Sequence, residues 1–364
     1  MKEDKTIKFT SPKDSIRRMT IGTMRSFRYK KLQKCVGLII FQLVLVSAKS
    51  QINISKQDLV NNFGFVQHEI TVDQEEIVFY TYQKDDSKKS GIVLYLQGSD
   101  PSPLFSYKQE EDEIKKMCFL RRDFQNLDSN YIYVAVEKIG FEQLIDETKI
   151  PLPMIYQEKN SLDNRVFRAN EVINSLNKIH QFSKIVVYGH SEGAPVGAKL
   201  AVQNDKITHL GFWAGNAMPD FYDFILEVRK EYYQGNLSIE ETQDQINEII
   251  NGFVHEVAAD PTKIESEGYT NLRWWSYAEP PLYNLLKLDI PIFVQVATED
   301  KSAPIESTYL IPLEFARLKK DNLTYKVCIG CDHGFNIYKD GIRKERKWNE
   351  IFLEFMDWVD TNTF

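Results

Sequence analysis

Residues 184–201 read K-I-V-V-Y-G-H-S-E-G-A-P-V-G-A-K-L-A, and no other stretch constrains the fold as strongly. A short apolar run stops at Gly189, a serine follows two positions later, and Gly193 opens a segment of small residues at helical spacing. An unbroken apolar run of this length suits a strand buried on both faces, as in a parallel sheet. Glycine tolerates the close approach and unusual backbone angles of a very sharp turn. The pattern predicts a strand, a tight turn and a helix, with Ser191 at the apex.

The alternation recurs along the chain. Two β-rich runs around Val72-Asp73-Gln74-Glu75 read as a hairpin. G-I-V-L-Y-L-Q-G-S-D (91–100), Y-I-Y-V-A-V-E-K (131–138), K-I-T-H-L-G-F-W-A-G (206–215), I-P-I-F-V-Q-V-A (290–297) and L-T-Y-K-V-C (323–328) read as further strands. Val166, Ala169, Ile173 and Leu176 share a helical face within 161–180, as do Trp348, Ile351, Phe352, Phe355 and Val359 near the C-terminus. Strands alternating with helices imply parallel βαβ units in a three-layer α/β sandwich, made mixed by the N-terminal hairpin. The charged segment between 100 and 131 has helical character, and R-K-E-R-K (343–347) reads as a solvated helix start. Residues 217 to about 287 hold no convincing strand. Ser238 and Glu241 there form a capping-box pattern before Ile246, Ile249, Ile250 and Phe253. This predicts a helical insertion lying as a cap over the strand ends.

Charge separates the first fifty residues from the rest. They carry twelve Lys or Arg and three acids, a net of +9, against −7 for the whole chain, which leaves −16 on residues 51–364. That balance opposes nucleic acid and anionic membrane surfaces as partners. The basic stretch 24–34 runs into C-V-G-L-I-I-F-Q-L-V-L-V-S-A (35–48). This run is shorter than the roughly 20 residues of a membrane span. It fits the apolar region of a signal peptide, with cleavage at Ser50–Gln51 after the small residues Ala48 and Ser50. The expectation is therefore an exported protein, periplasmic or secreted, with a single domain at 51–364. An uncleaved N-terminal anchor is the alternative. Three cysteines remain after cleavage, Cys118, Cys328 and Cys331. C-I-G-C has zinc-knuckle spacing but lacks a second pair, so a local disulfide or a plain buried pair is the better reading.

A serine hydroxyl needs an adjacent base to act as a nucleophile. The G-x-S-x-G turn exposes such a serine, and its triad partners follow in the order Ser, acid, His. After the strand 290–297 comes T-E-D-K-S-A-P, offering Glu299 and Asp300. After 323–328 comes I-G-C-D-H-G-F, offering His333, the only histidine C-terminal to the acid. Both follow carboxyl ends of strands, where α/β sheets place their sites. His68, His180, His209 and His255 lack such placement, and the His190 side chain is expected to leave the turn away from the serine.

These motifs resemble those of the α/β-hydrolase superfamily. G-H-S-E-G (189–193) is similar to its nucleophile elbow, A-T-E-D-K-S-A-P (297–304) to its acid loop, and C-D-H-G-F (331–335) to its histidine loop. Q-G-S-D (97–100) stands where the superfamily carries an oxyanion segment. The ordered set covers roughly residues 65–364 and looks closest to exported bacterial esterases and S9-like peptidases. Two departures are Ala297 for the usual glycine and Gln97 for the usual histidine. The resemblance implies a triad of Ser191, His333 and Asp300, with the backbone N–H groups of Glu192 and Ser99 as the oxyanion hole. It implies acyl transfer with no metal or cofactor.

The Glu192 carboxylate reads as a solvated helix-start acid favoured by the helix dipole, with contact to a cationic substrate group as the sharper alternative. Arg273 reads as a surface ion pair, with a grip on a substrate carboxylate as its alternative. Phe221, Tyr222, Phe224 and R-W-W-S-Y (273–277) read chiefly as the core of the insertion, with an acyl pocket as the second reading. Three functions follow: a carboxylic ester hydrolase, a serine peptidase or aminoacyl hydrolase of the same fold, and a non-catalytic hydrolase fold used for binding. The expected partner is a small-molecule or short-peptide acyl substrate.

Overall fold

The computed structural model describes residues 55–109, 114–143, 152–263 and 270–362. The leader and cleavage site expected at 1–50 lie outside these residues. The chain enters through helix α1 (Lys56–Asn61) and the hairpin of β1 (Phe65–Val72) and β2 (Glu75–Tyr82). Asp73 and Gln74 between them have φ of 49° and 68°, the left-handed pair that tight hairpin turns require. Strand β3 (Gly91–Leu96) follows, then β4 (Phe105–Gln109), β5 (Ile114–Cys118), a single 3₁₀ turn at Arg122–Asn126, and β6 (Tyr131–Val136). Helices α2 (Met154–Lys159) and α3 (Leu162–His180) lead to β7 (Lys184–His190), α4 (Gly193–Gln203) and β8 (His209–Trp213).

Between β8 and the next strand the chain is helical. It runs through α5 (Asp220–Tyr233), α6 (Ile239–Gly252), α7 (Asn271–Ser276) and α8 (Pro281–Leu285), with no strand among the described residues. Both halves of the Ser238–Glu241 capping box are present at the start of α6. The chain then forms β9 (Ile292–Ala297), α9 (Ile305–Thr308), α10 (Leu310–Arg317), β10 (Leu323–Cys328), the hairpin of β11 (Asn336–Lys339) and β12 (Ile342–Arg346), and α11 (Trp348–Thr361).

The main sheet has the order β1-β2-β6-β3-β7-β8-β9-β10. β1, β2 and β6 pair antiparallel, and every other neighbouring pair is parallel. Successive side chains on a strand point to opposite faces, and β3 shows the result. Ile92, Leu94 and Leu96 join a core with Val166, Ala169 and Ile173 of α3. Val93 and Tyr95 join the opposite core with Phe352 and Phe355 of α11. The sheet is thus the middle of three layers, as its apolar runs imply.

Two segments depart from the sequence reading. The charged stretch after residue 100 forms the β4–β5 ribbon rather than helix. Phe105 and Ser106 are fully buried there, so tertiary packing overrides the local charge signal. The run 343–347 forms most of exposed β12, and the helix begins only at Trp348. Asp340 and Gly341, with φ of 52° and 73°, reverse the chain ahead of it. Among the described residues, no helix is long and apolar enough to cross a membrane.

Candidate active site

Ser191 stands at the end of β7 with φ +58°, a left-handed conformation costing a non-glycine residue about 1–2 kcal/mol. Its neighbours hold it there. The Ser191 N–H donates to Trp213 O at 2.9 Å, and Ser191 O accepts from Ala194 N at 2.9 Å. The turn is so tight that a Cβ on Gly189 would lie 2.0 Å from Gly193 O. A Cβ on Gly193 would lie 2.0 Å from Leu96 O of β3, so only glycine fits at either position.

Asp300 and His333 follow β9 and β10, which lie beyond β8 along the sheet. Asp300 follows β9 and is buried, and its Oδ1 accepts N–H bonds from Ser302 at 2.8 Å and Ala303 at 2.9 Å. Its Oδ2 lies 2.7 Å from His333 Nδ1, while the Glu299 side chain is exposed. The structure therefore brings together His333 and Asp300, and Ala297 in place of glycine does not disturb the pairing. Among the hydrogen bonds of the described residues, none joins the Ser191 hydroxyl to His333.

The histidine loop is braced from three sides. Asp332 Oδ1 accepts from the N–H groups of Gly334 and Asn336, at 2.9 and 2.7 Å. Gly330 N–H donates to Thr298 Oγ1 at 2.8 Å, and a disulfide joins Cys328 to Cys331. The third brace was not foreseen. His190 leaves the turn toward the histidine loop. Its ring is buried, lies 4.8 Å from the His333 ring and 4.9 Å from Trp348, and donates through Nε2 to His333 O at 2.7 Å. Burial, and then the positive charge His333 can carry, hold the His190 pKa well below the ordinary histidine value, so it stays a neutral donor. The alternation signal alone would have aimed His190 at the core layer containing Trp348, and that is where it lies.

The loop after β3 approaches from the other side. Gly98 is so close that an added Cβ would sit 3.2 Å from Ser191 Cβ. Ser99 follows, half-buried, and its N–H makes no hydrogen bond to the described residues. The Gln97 side chain is anchored by its Nε2, which donates to Val136 O at 3.1 Å. Glu192 caps α4, and the first N–H groups of a helix have no intrahelical acceptor.

The Glu192 side chain overturns its sequence reading. It is buried, not solvated. Oε1 lies 2.8 Å from Arg165 Nη1, and Oε2 lies 2.7 Å from Arg273 Nη2. Burial would raise its pKa, but Arg273, Arg165 and Lys138 outweigh burial and hold it at about 2. Arg273 is likewise no surface residue: it is buried on α7 and also meets Asp220 Oδ2 at 3.1 Å. Sequence spacing offered no signal for this pairing, since the partners lie 27 and 81 positions from Glu192.

The aromatics of the helical segment divide between two roles. Phe221 packs against Phe224, Phe253 and Trp274 at centroid distances of 4.8–5.8 Å. Phe221 and Tyr222 also line an open apolar cleft with Ile249, Ile250, Phe253 and Val254. Among the described residues no group of three His, Cys, Asp or Glu side chains could hold a metal ion.

The strand order, the elbow and the loop placement define an α/β-hydrolase fold. No protein-family model and no curated protein matches the sequence. Solved structures do match in three dimensions. One is Est1E from Butyrivibrio proteoclasticus with bound ferulic acid, at TM-score 0.52 and 13% identity, covering 81% of this chain and 100% of that one. Another is Pyrococcus horikoshii acylaminoacyl peptidase, at TM-score 0.51 and 12% identity, covering 82% of this chain. An acylaminoacyl peptidase in complex with Z-Gly-Gly-Phe-chloromethyl ketone has TM-score 0.50 and 14% identity, over 82% of this chain. This chain spans 42% of the length of each of those two peptidases.

Proposed function

We propose that this protein is a serine hydrolase that cleaves carboxylic esters through an acyl-enzyme on Ser191. The observation that carries the reading is the His333–Asp300 pair, bonded at 2.7 Å on the sheet edge where Ser191 sits strained at its elbow. In the reaction, Ser191 Oγ attacks the ester carbonyl as its proton passes to His333 Nε2. Asp300 holds the opposite ring nitrogen protonated and stabilises the imidazolium. The carbonyl oxygen gains the negative charge, facing the N–H groups of Glu192 and Ser99. His333 then returns the proton to the leaving alkoxide, and water repeats the sequence to release the acid. Substrate binding brings the Ser191 hydroxyl and His333 into hydrogen-bond contact in this reading, as hydrogen bonds left loose in a resting site commonly tighten on binding.

Esters are favoured over aminoacyl substrates by one feature. A free amino terminus needs an available carboxylate, and Glu192, the acid next to the elbow serine, has both oxygens taken by arginines. The apolar cleft between α5 and α6 would accept an acyl or aryl group. In this reading residues 217–287 form the cap, residues 1–50 carry a leader cleaved near Ser50–Gln51, and the exported domain is 51–364.

Purified protein should react with a fluorophosphonate probe and hydrolyse p-nitrophenyl acetate faster than aminoacyl nitroanilides, and Ser191→Ala should abolish both reactions. Faster nitroanilide cleavage would favour the peptidase reading. A folded wild type that stays unlabelled would leave only the binding-protein reading.

A further inference from the structure

The charged cluster around Glu192 is too deeply buried to serve solubility, and burying an ion pair is a poor route to stability, because desolvation offsets most of the Coulombic gain. Its connections suggest another role. Arg165 of α3 bonds Glu192 and also donates through Nη2 to Gln97 O, so one guanidinium spans the elbow and the loop after β3. Lys138, buried just beyond β6, donates through Nζ to Gly98 O and Asp100 O in the same loop. Arg273 approaches from the helical segment. Its Nε and Nη2 both reach Glu192 Oε2, at 2.8 and 2.7 Å. Its guanidinium lies 4.2 Å from the Trp274 ring and 5.3 Å from that of Tyr277. Asp220, at the start of α5, takes Nη2 as well and is itself held by Asn216 at 2.6 Å.

One carboxylate thus joins three bodies: the elbow helix, the loop carrying Ser99, and the helical segment between β8 and β9. On the serine hydrolase reading the first two carry the N–H groups that meet the oxyanion, and such donors contribute to catalysis only when preorganised. The third supplies the apolar cleft. Both Glu192 oxygens are occupied, so the side chain does not contact substrate.

We propose that Glu192 is a positioning residue, which through Arg165 and Arg273 sets the spacing of the two oxyanion donors and ties that spacing to the seat of the cap. The proposal rests on the serine hydrolase reading. It predicts that weakening the clamp harms transition-state binding and leaves ground-state binding intact.

The test compares wild type with Glu192→Gln and Arg273→Lys. The first keeps shape and loses charge; the second keeps charge and loses the planar fork. For each, kcat and KM for p-nitrophenyl acetate are measured beside the inhibition constant of a boronic acid that forms a tetrahedral adduct on Ser191. Glu192→Gln should lower kcat by about 10- to 100-fold, below the full loss seen when one oxyanion donor is removed. KM should stay within threefold, and boronate affinity should fall in step with kcat. Arg273→Lys should show a smaller fall with the same parallel.

A purely structural role would instead lower the melting temperature while kcat and boronate affinity per folded molecule stay at wild-type values, and that result overturns the proposal. If Glu192→Gln does not fold, the parallel in Arg273→Lys decides alone. Lys326→Ala, at an exposed pair with Glu354, is the control expected to change neither constant. An unlabelled, inactive wild type would overturn the hydrolase reading and this proposal together; an active wild type with unaltered variants overturns only the proposal.

Discussion

On the proposed hydrolase reading, Gly193→Ala should cripple catalysis by a displacement the structure allows one to estimate. The new methyl would lie 2.0 Å from Leu96 O and 2.6 Å from Leu96 C, both backbone atoms that cannot rotate away. Restoring an ordinary contact of 3.4 Å requires a separation of about 1.4 Å between the start of α4 and the end of β3. Leu96 directly precedes the loop of Gly98 and Ser99, and Arg165 and Lys138 grip that loop, so the shift reaches the proposed oxyanion donors. A misplacement near 1 Å costs on the order of 100-fold in rate, equivalent to about 2.7 kcal/mol of barrier. Overpacking adds about 1–3 kcal/mol of destabilisation. The assay is kcat for p-nitrophenyl acetate per fluorophosphonate-labelled site, beside a thermal melt. Gly197→Ala, one turn along the same helix, is the control. Its methyl would meet only side-chain ends, Leu210 Cδ1 at 3.2 Å and Leu96 Cδ1 and Val187 Cγ1 at 3.5 Å. It should keep kcat within about threefold, since a helix-interior alanine is favoured over glycine by roughly 0.5–1 kcal/mol. A folded Gly193→Ala with wild-type kcat, or a Gly197→Ala equally impaired, would refute the reasoning.

Other perturbations separate the remaining roles. Asp300→Asn should lower kcat by roughly 10⁴-fold by placing His333 in the wrong tautomer, whereas Glu299→Gln, at an exposed side chain, should leave it near wild type. Equal losses in the two would reassign the acid. Asp123 accepts from Tyr188 O–H at 2.6 Å and Trp348 Nε1–H at 2.9 Å, and burial outweighs these bonds and pushes its carboxyl up to about 6. The folded state then holds this proton more tightly than the unfolded chain, so the group makes stability fall as pH rises from about 4 to about 6. Asp123→Asn lacks that loss. Urea melts at pH 4 and pH 7 should show the difference between variant and wild type moving in the variant's favour by up to roughly 3 kcal/mol; an unchanged difference would mean the carboxyl titrates normally. Glu192 works in the opposite sense. Its depressed pKa adds stability that is complete above about pH 4.5 and lost as pH falls toward about 2, so Glu192→Gln should flatten the acid limb of the wild-type stability curve.

Much of this molecule is legible because its signals are local. The apolar run of β7 and the glycines around Ser191 specify a strand and a sharp turn within ten residues, and the hairpin at Asp73–Gln74 is equally short-range. The β4–β5 ribbon and β12 were misread for the converse reason. Their strands pair in two-stranded ribbons outside the main sheet, and their charged residues mimic solvated helix.

Residue order alone determined that a serine, an acid and a histidine would follow three strands of one parallel sheet, because chain connectivity forces the carboxyl ends of such strands to a common edge. Only the tertiary structure decided which acid meets His333, that His190 braces the histidine loop, and that Glu192 is gripped by two arginines. Each of those choices depends on distances between side chains far apart in sequence, and on burial that turns a solvated charge into one that must find a partner.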